Sequence, residues 1–221
     1  MAPTTASPRA RNRQGEGPRL RDELMMAAER LLASGADVAT LSLRAVAREA
    51  GIAAPSVYLH FDSKDALLYA VIEDHFAKLD WAIVAGLELG TEPATRLLAG
   101  CLAYCRYAVE QPGSYRILFN TPRSGLPVSG FAGTLGEAAF RTLVDGVAAC
   151  IGAGVAQPGD PFRIATDVWS ALHGAVSLRW ATSGFPWPPL EQQVRGILEA
   201  FTGIPYAESS SGEELASDGA T

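Results

Sequence analysis

Residues 41–61 read LSLRAVAREAGIAAPSVYLHF. Ser42 carries a short side-chain oxygen that can accept from the open N–H groups of a first helical turn. Leu43, Val46 and Ala47 share one face at helical spacing, which predicts a helix from about Ser42 to Ala50. Gly51 stands where a helix ends in a left-handed residue, and Ile52 is placed to pack the turn. A second short helix is expected to open near Ala54–Pro55, because proline is tolerated in a first turn. On it Val57 and Phe61 point to the core, while Ser56, Tyr58 and His60 point outward. Two such helices joined by a tight turn form a helix-turn-helix. In that motif the second helix enters the major groove of DNA and the first crosses the backbone.

The flanks read as helix as well. Leu20, Leu24, Ala27, Ala28, Leu31 and Leu32 form an apolar stripe, predicting a helix over 18–33 that Ser34–Gly35–Ala36–Asp37 ends. Asp62 or Ser63 is placed to cap a long helix from about Lys64 to Leu89, with Asp65 suited to its positive end. Further helices are expected over 93–111, 114–119 and 131–151, with a break at Pro112–Gly113 and a loop over 120–130. Asp160–Pro161 reads as a cap followed by proline at the first helical position, opening a helix to about Ser183. The GFPWPP turn precedes a last helix over 190–202, with Leu190, Val194, Ile197, Leu198 and Phe201 on one stripe. No β-type alternation and no internal repeat is found. The expected fold class is all-α, a three-helix helix-turn-helix domain followed by a helical bundle.

The pattern Ser42, Val46–Ala47, Ala50–Gly51–Ile52, Tyr58–Leu59–His60–Phe61, Lys64 and Leu67 resembles the DNA-binding domain of TetR-family transcriptional regulators over about residues 18–70. The resemblance implies a homodimer that binds a double-stranded DNA operator and answers to a small-molecule effector. It also implies that the last two helices pair with their copies as a four-helix bundle. The domain organisation expected is a disordered basic arm (1–17), a helix-turn-helix domain (18–62), an effector-binding and dimerisation domain (63–205) and a disordered acidic tail (206–221).

Arg44 is a candidate base reader, since a guanidinium grips guanine O6 and N7 bidentately; a phosphate contact or a solvated side chain is the alternative. Ala53, Ala54, Pro55, Ser56 and Leu59 offer a small, mainly apolar face suited to thymine methyl groups. Such a face has few hydrogen bonds to give, so discrimination leans on Arg44, His60 and DNA shape. Ser42, Tyr58 and Lys64 suit phosphate contacts, which position without specifying. His60 either touches phosphate or stays within the fold.

In the C-terminal part, Trp169, Leu172, His173, Val176 and Trp180 fall on one helix face, and Gly174 suggests close helix approach. The Trp-x-x-x-His-Gly spacing resembles the family's subclass of ligand domains named for its W-H-G motif. A histidine beside two tryptophans is also an ordinary satisfied core residue. Tyr104, Tyr107, Phe119, Trp169 and His173 are the candidate ligand-binding residues, because small-molecule sites are mostly apolar and aromatic with few polar anchors. They favour a hydrophobic effector. Cys101, Cys105 and Cys150 read as small buried residues rather than a thiol sensor or half a metal site.

The 221 residues carry a formal net charge of −6, unevenly spread. Residues 1–61 balance at +2 and the remainder at −8, which suits a protein with one DNA-binding end. No GxSxG, HExxH or phosphate-binding loop is present, and Gly152–Ala153–Gly154 lacks the third glycine of a dinucleotide fingerprint. No catalytic residue, cofactor or metal site is therefore expected, and His60, His75 and His173 are far apart in sequence. No apolar run reaches the length of a membrane span, and with three cysteines a reduced, cytoplasmic setting fits. A ligand-released repressor is the expectation. An activator or ligand-independent regulator of the same fold, or a helical carrier or enzyme with an incidental hairpin, are the alternatives.

Overall fold

The computed structural model describes residues 17–33, 40–120 and 135–206. The expectations for the N-terminal arm, for Ser34–Asp37, for the loop beyond Asn120, for 131–134 and for the tail from 207 lie outside them. Among the described residues the chain is all-α: α1 (Gly17–Ala33), α2 (Leu43–Glu49), α3 (Ala54–Val57), α4 (Lys64–Leu87), α5 (Pro93–Glu110), α6 (Pro112–Asn120), α7 (Glu137–Gly152), α8 (Pro161–Ala181) and α9 (Leu190–Thr202). By packing, the described residues divide into one compact unit drawn from 17–33, 40–81, 110–120 and 135–138, and another from 82–109 and 139–206.

In the first unit, α1 buries Leu24, Ala27 and Ala28, with Met25 beside them; Leu20, Leu31 and Leu32 are only half-buried. Arg30 Nε donates to Glu49 Oε1 at 2.8 Å, tying α1 to α2. The Arg21 guanidinium stands 5.0 Å over the Phe61 ring, tying α1 to the end of the helix-turn-helix. Ser63, not Asp62, caps α4: its Oγ accepts from the Ala66 N–H at 3.0 Å. Leu67, Val71, Ile72 and Leu79 of α4 are buried, and so are Tyr115 and Leu118 of α6. Phe119 packs edge-on to Phe76 and against Tyr115. Pro112, expected to break a helix, is the first residue of α6, because its fixed φ suits that position and its missing N–H is not needed there.

In the second unit, α5 buries Leu97, Leu98, Cys101, Tyr104, Cys105 and Ala108. α8 starts as expected, with Asp160 Oδ1 accepting from the Phe162 N–H at 3.0 Å. It buries Ile164, Val168, Leu172 and Val176. Two expectations are not met within the single chain. Gly174 mediates no close packing there, since a Cβ would meet nothing within 4 Å. The close approach is made at Gly86 and Gly100, where a Cβ would collide with Ala103 and Leu87. Leu198, expected to face a second copy, is 0% exposed within the single chain, as Val194 nearly is. The centre of the α9 stripe is therefore spent on intramolecular core. Phe201 on the same helix stays 41% exposed. Among the described residues no helix is long and apolar enough to cross a membrane.

Candidate nucleic-acid interface

The helix-turn-helix is built by local chemistry. Ser42 sits in extended backbone and its Oγ accepts from the Ala45 N–H at 3.1 Å, while its carbonyl accepts from Val46. One of the open donors of α2 is thereby satisfied. At the other end Gly51 takes φ +69°, which costs a side-chain-bearing residue energy even with open space around it. That turn lets Ile52 N–H reach back to the Ala47 carbonyl at 2.9 Å. α3 is only four residues long and follows Ala53 in extended backbone, with Pro55 in its first turn. His60 and Phe61 N–H both donate to the Val57 carbonyl, so the chain stays tightly wound beyond the helix.

This winding separates two faces. Val57 is 0% and Phe61 3% exposed, whereas Tyr58 is 51% and Leu59 83% exposed. Ser42, Arg44, Ala53 and Pro55 are exposed too; Ala54, Ser56, His60 and Lys64 are half-buried. Ser56 and His60 are thus less outward than expected. Arg48 was not singled out, yet it is exposed four residues after Arg44, on the same side of α2. The i, i+4 spacing of the two arginines is the signal that could have found it.

A second candidate lies in the other unit. Tyr104 OH and His173 Nδ1 are 3.4 Å apart, the ring's tautomer setting which one donates. His173 continues into a run of rings: Trp169 at 6.1 Å, then Phe140 at 5.8 Å from Trp169, then Phe162 at 5.3 Å from Phe140. Burial holds the His173 imidazole below its ordinary pKa, favouring the neutral ring. Phe140 and Phe162 were not among the expected residues: Phe140 stands on α7, where no single-helix spacing reaches it, whereas Phe162 lies seven residues before Trp169 on α8, a spacing that could have found it. Tyr107 is half-buried. Phe119 belongs to the other unit, with Phe76 and Tyr115.

The three cysteines are buried and unpaired as thiols. Burial pushes all three up, Cys105 to about 12 with Arg179 pulling partly back. Nucleophilic or metal-binding thiolates are not favoured in such surroundings.

Residues 24–71 match the family described as bacterial regulatory proteins, tetR family. Residues 97–201, which include Trp169, His173 and Gly174, match the tetracyclin repressor-like C-terminal domain. The HTH-type transcriptional regulator Rv0681 of Mycobacterium tuberculosis is 32% identical over 143 residues, covering 63% of this chain but only 61% of that relative. A protein of unknown function from Rhodococcus sp. RHA1 has a solved structure similar at TM-score 0.69 and 28% identity, over 85% of this chain and 96% of that one. A TetR family transcription regulator from Marinobacter aquaeolei VT8 shares the fold at TM-score 0.67 and 19% identity, over 81% of this chain and 94% of that one. With the helix-turn-helix and the α5–α9 region each matched to the same kind of protein, this chain belongs to the TetR family of transcriptional regulators.

Proposed function

We propose that this regulator is a cytoplasmic, homodimeric repressor that releases a palindromic operator when a hydrophobic small molecule binds. Residues 18–62 read the DNA and residues 63–205 bind the effector and the second copy. The observation that carries the reading is the two-faced segment after Gly51. Val57 and Phe61 anchor it, while Tyr58 and Leu59 stand bare beside the exposed Arg44 and Arg48. Arg44 reads a base, and Ser42, Tyr58, His60 and Lys64 hold phosphates. Ala53, Ala54, Pro55, Ser56 and Leu59 line the groove face. Two such helices reading a palindrome must stand about 34–36 Å apart, so the function calls for a dimer. The effector seats on the ring run of Tyr104, His173, Trp169 and Phe140, needs no cofactor and undergoes no reaction. It favours a state with displaced recognition helices, weakening operator binding by roughly 1–3 kcal/mol.

A gel shift on DNA flanking the chain's own coding sequence, repeated over a salt series, tests this. A discrete complex that survives excess random DNA and weakens linearly in log–log against salt is expected. Absence of any fragment preferred over random DNA would overturn it.

A further inference from the structure

Packing of α1 against α4 brings together three side chains that the DNA-contact reading does not use. His75 of α4 is 3% exposed, and its Nε2 lies 3.3 Å from Oε1 of Glu29 on α1. Asp74, its neighbour in the chain, joins them: one ligand-capable atom from each of the three lies within 4.8 Å of the other two. We propose that Glu29, Asp74 and His75 form a binding site for one divalent first-row transition cation that ties α1 to α4.

The spacing fits an ion. Two donors each about 2.1 Å from a common cation, at near-octahedral to tetrahedral angles, stand roughly 3.0–3.4 Å apart. The Glu29–His75 separation falls in that range. Asp74 need move little to complete the set, because its side chain is only partly covered, as is that of Glu29. The imidazole is the fixed member and the two carboxylates are the adjustable ones. One imidazole nitrogen with two carboxylate oxygens suits Zn2+, Mn2+ or Fe2+ rather than a soft ion such as Cu(I). Water would fill the remaining positions from the exposed side.

Charge points the same way. A second carboxylate beside the histidine–glutamate contact adds negative charge that favours a dication over a lone interhelical ion pair. Lys78 Nζ holds Asp74 Oδ2 at 2.6 Å, but it is an exposed ammonium and a carboxylate has two oxygens. One stays with the lysine while the other turns to the ion.

The position gives the ion leverage. α1 grips α2 through Arg30–Glu49 and the end of the motif through Arg21–Phe61. α4 leaves the motif directly after Ser63. A cation joining α1 to α4 therefore sets how firmly the helix-turn-helix is held, and DNA affinity becomes metal-dependent. This last step rests on the proposed operator binding; the ion site itself does not.

The test uses the full chain, stripped with a chelator and titrated with Zn2+ and with Mn2+ against a chromogenic competitor. Asp74→Asn and Glu29→Gln keep volume and fold while removing charge, and His75→Ala accompanies them as a variant that risks misfolding. Expected is one ion per chain, bound at least about tenfold more weakly by either carboxamide variant, the least that even outer-shell changes bring to a metal site. The ion should also raise the wild-type Tm by more than that of the variants at the same concentration. Equal binding or an equal Tm shift in wild type and variants places the ion elsewhere and overturns the proposal, as does the absence of stoichiometric binding. Metal binding with no DNA complex under any condition keeps the site and rejects the operator reading instead.

Discussion

Arg179 Nη2 lies 2.7 Å from Gln193 Oε1 and 2.6 Å from the Pro188 carbonyl, so a single guanidinium joins α8, the turn and α9. Its carbon centre also stands 5.4 Å over the Trp187 ring. One planar, multidentate donor thus ties the ends of the last two helices to their turn, beside the packing of Val194 and Leu198. Arg179→Ala should cost about 1–3 kcal/mol, since the turn loses its main polar tie and Gln193 its donor. Arg179→Lys should recover only part, because an ammonium cannot serve two acceptors in one plane and stack on the indole. Urea unfolding of the three proteins measures both.

Arg44→Ala should weaken operator binding by about 1–3 kcal/mol and relax preference at one base pair in each half-site. Affinities on an operator series with single substitutions read this out. Equal losses on operator and random DNA would mark a phosphate contact instead.

Lys64→Ala should lower affinity across all sequences and reduce the salt slope by about one unit per contact. Tyr58→Phe keeps the half-exposed ring and removes only the hydroxyl. A smaller, sequence-independent loss is expected from it, measured by gel shift over the same salt series.

Leu198 and Phe201 separate core from the proposed dimer interface. Leu198→Glu buries a charge without a partner and forfeits about 1.5–3 kcal/mol of apolar burial, so loss of folded protein is expected rather than monomers. Phe201→Glu acts on an exposed ring and should leave helical content intact while shifting the sedimentation profile toward monomer. Circular dichroism alongside sedimentation distinguishes the two.

The buried thiols set an alkaline limit. Cys101, Cys105 and Cys150 each keep their proton above the ordinary value of 9.0 in the folded chain. Their contribution to stability is complete below pH 9.0 and is lost as pH rises above it, because the unfolded chain sheds protons that the native one retains. At neutral pH none should react with a thiol reagent on the timescale of surface cysteines, and all three should react in denaturant.

What could be read in the sequence was what is local. Ser42 as a cap, Gly51 as a left-handed stop and Asp160–Pro161 as a helix start each act within a few residues, and the structure places them accordingly. The α9 stripe was legible as a buried face, but periodicity names no partner, and Leu198 turned out to pack within its own chain. Gly174 shows the same limit: a missing Cβ names no partner, and within its own chain it meets no neighbour. Glu29, Asp74 and His75 share no spacing, since α1 and α4 meet only by packing. Phe140 joins the ring run from α7, beyond any single-helix pattern, whereas Phe162 sits seven residues before Trp169 on α8 and was legible in the spacing.

Ser42 has one hydroxyl with two tasks available to it. A lone pair already accepts from the Ala45 N–H, which fixes χ1 before any DNA arrives. The hydroxyl proton remains able to rotate toward a phosphate oxygen. A free serine gives up rotamer freedom on contact, whereas this one has surrendered it during folding. Threonine here should retain both tasks, while alanine would fray α2 and loosen the DNA grip together. If Ser42 holds a phosphate as proposed, the helix cap has already oriented it, so the two losses should track each other across substitutions at this position.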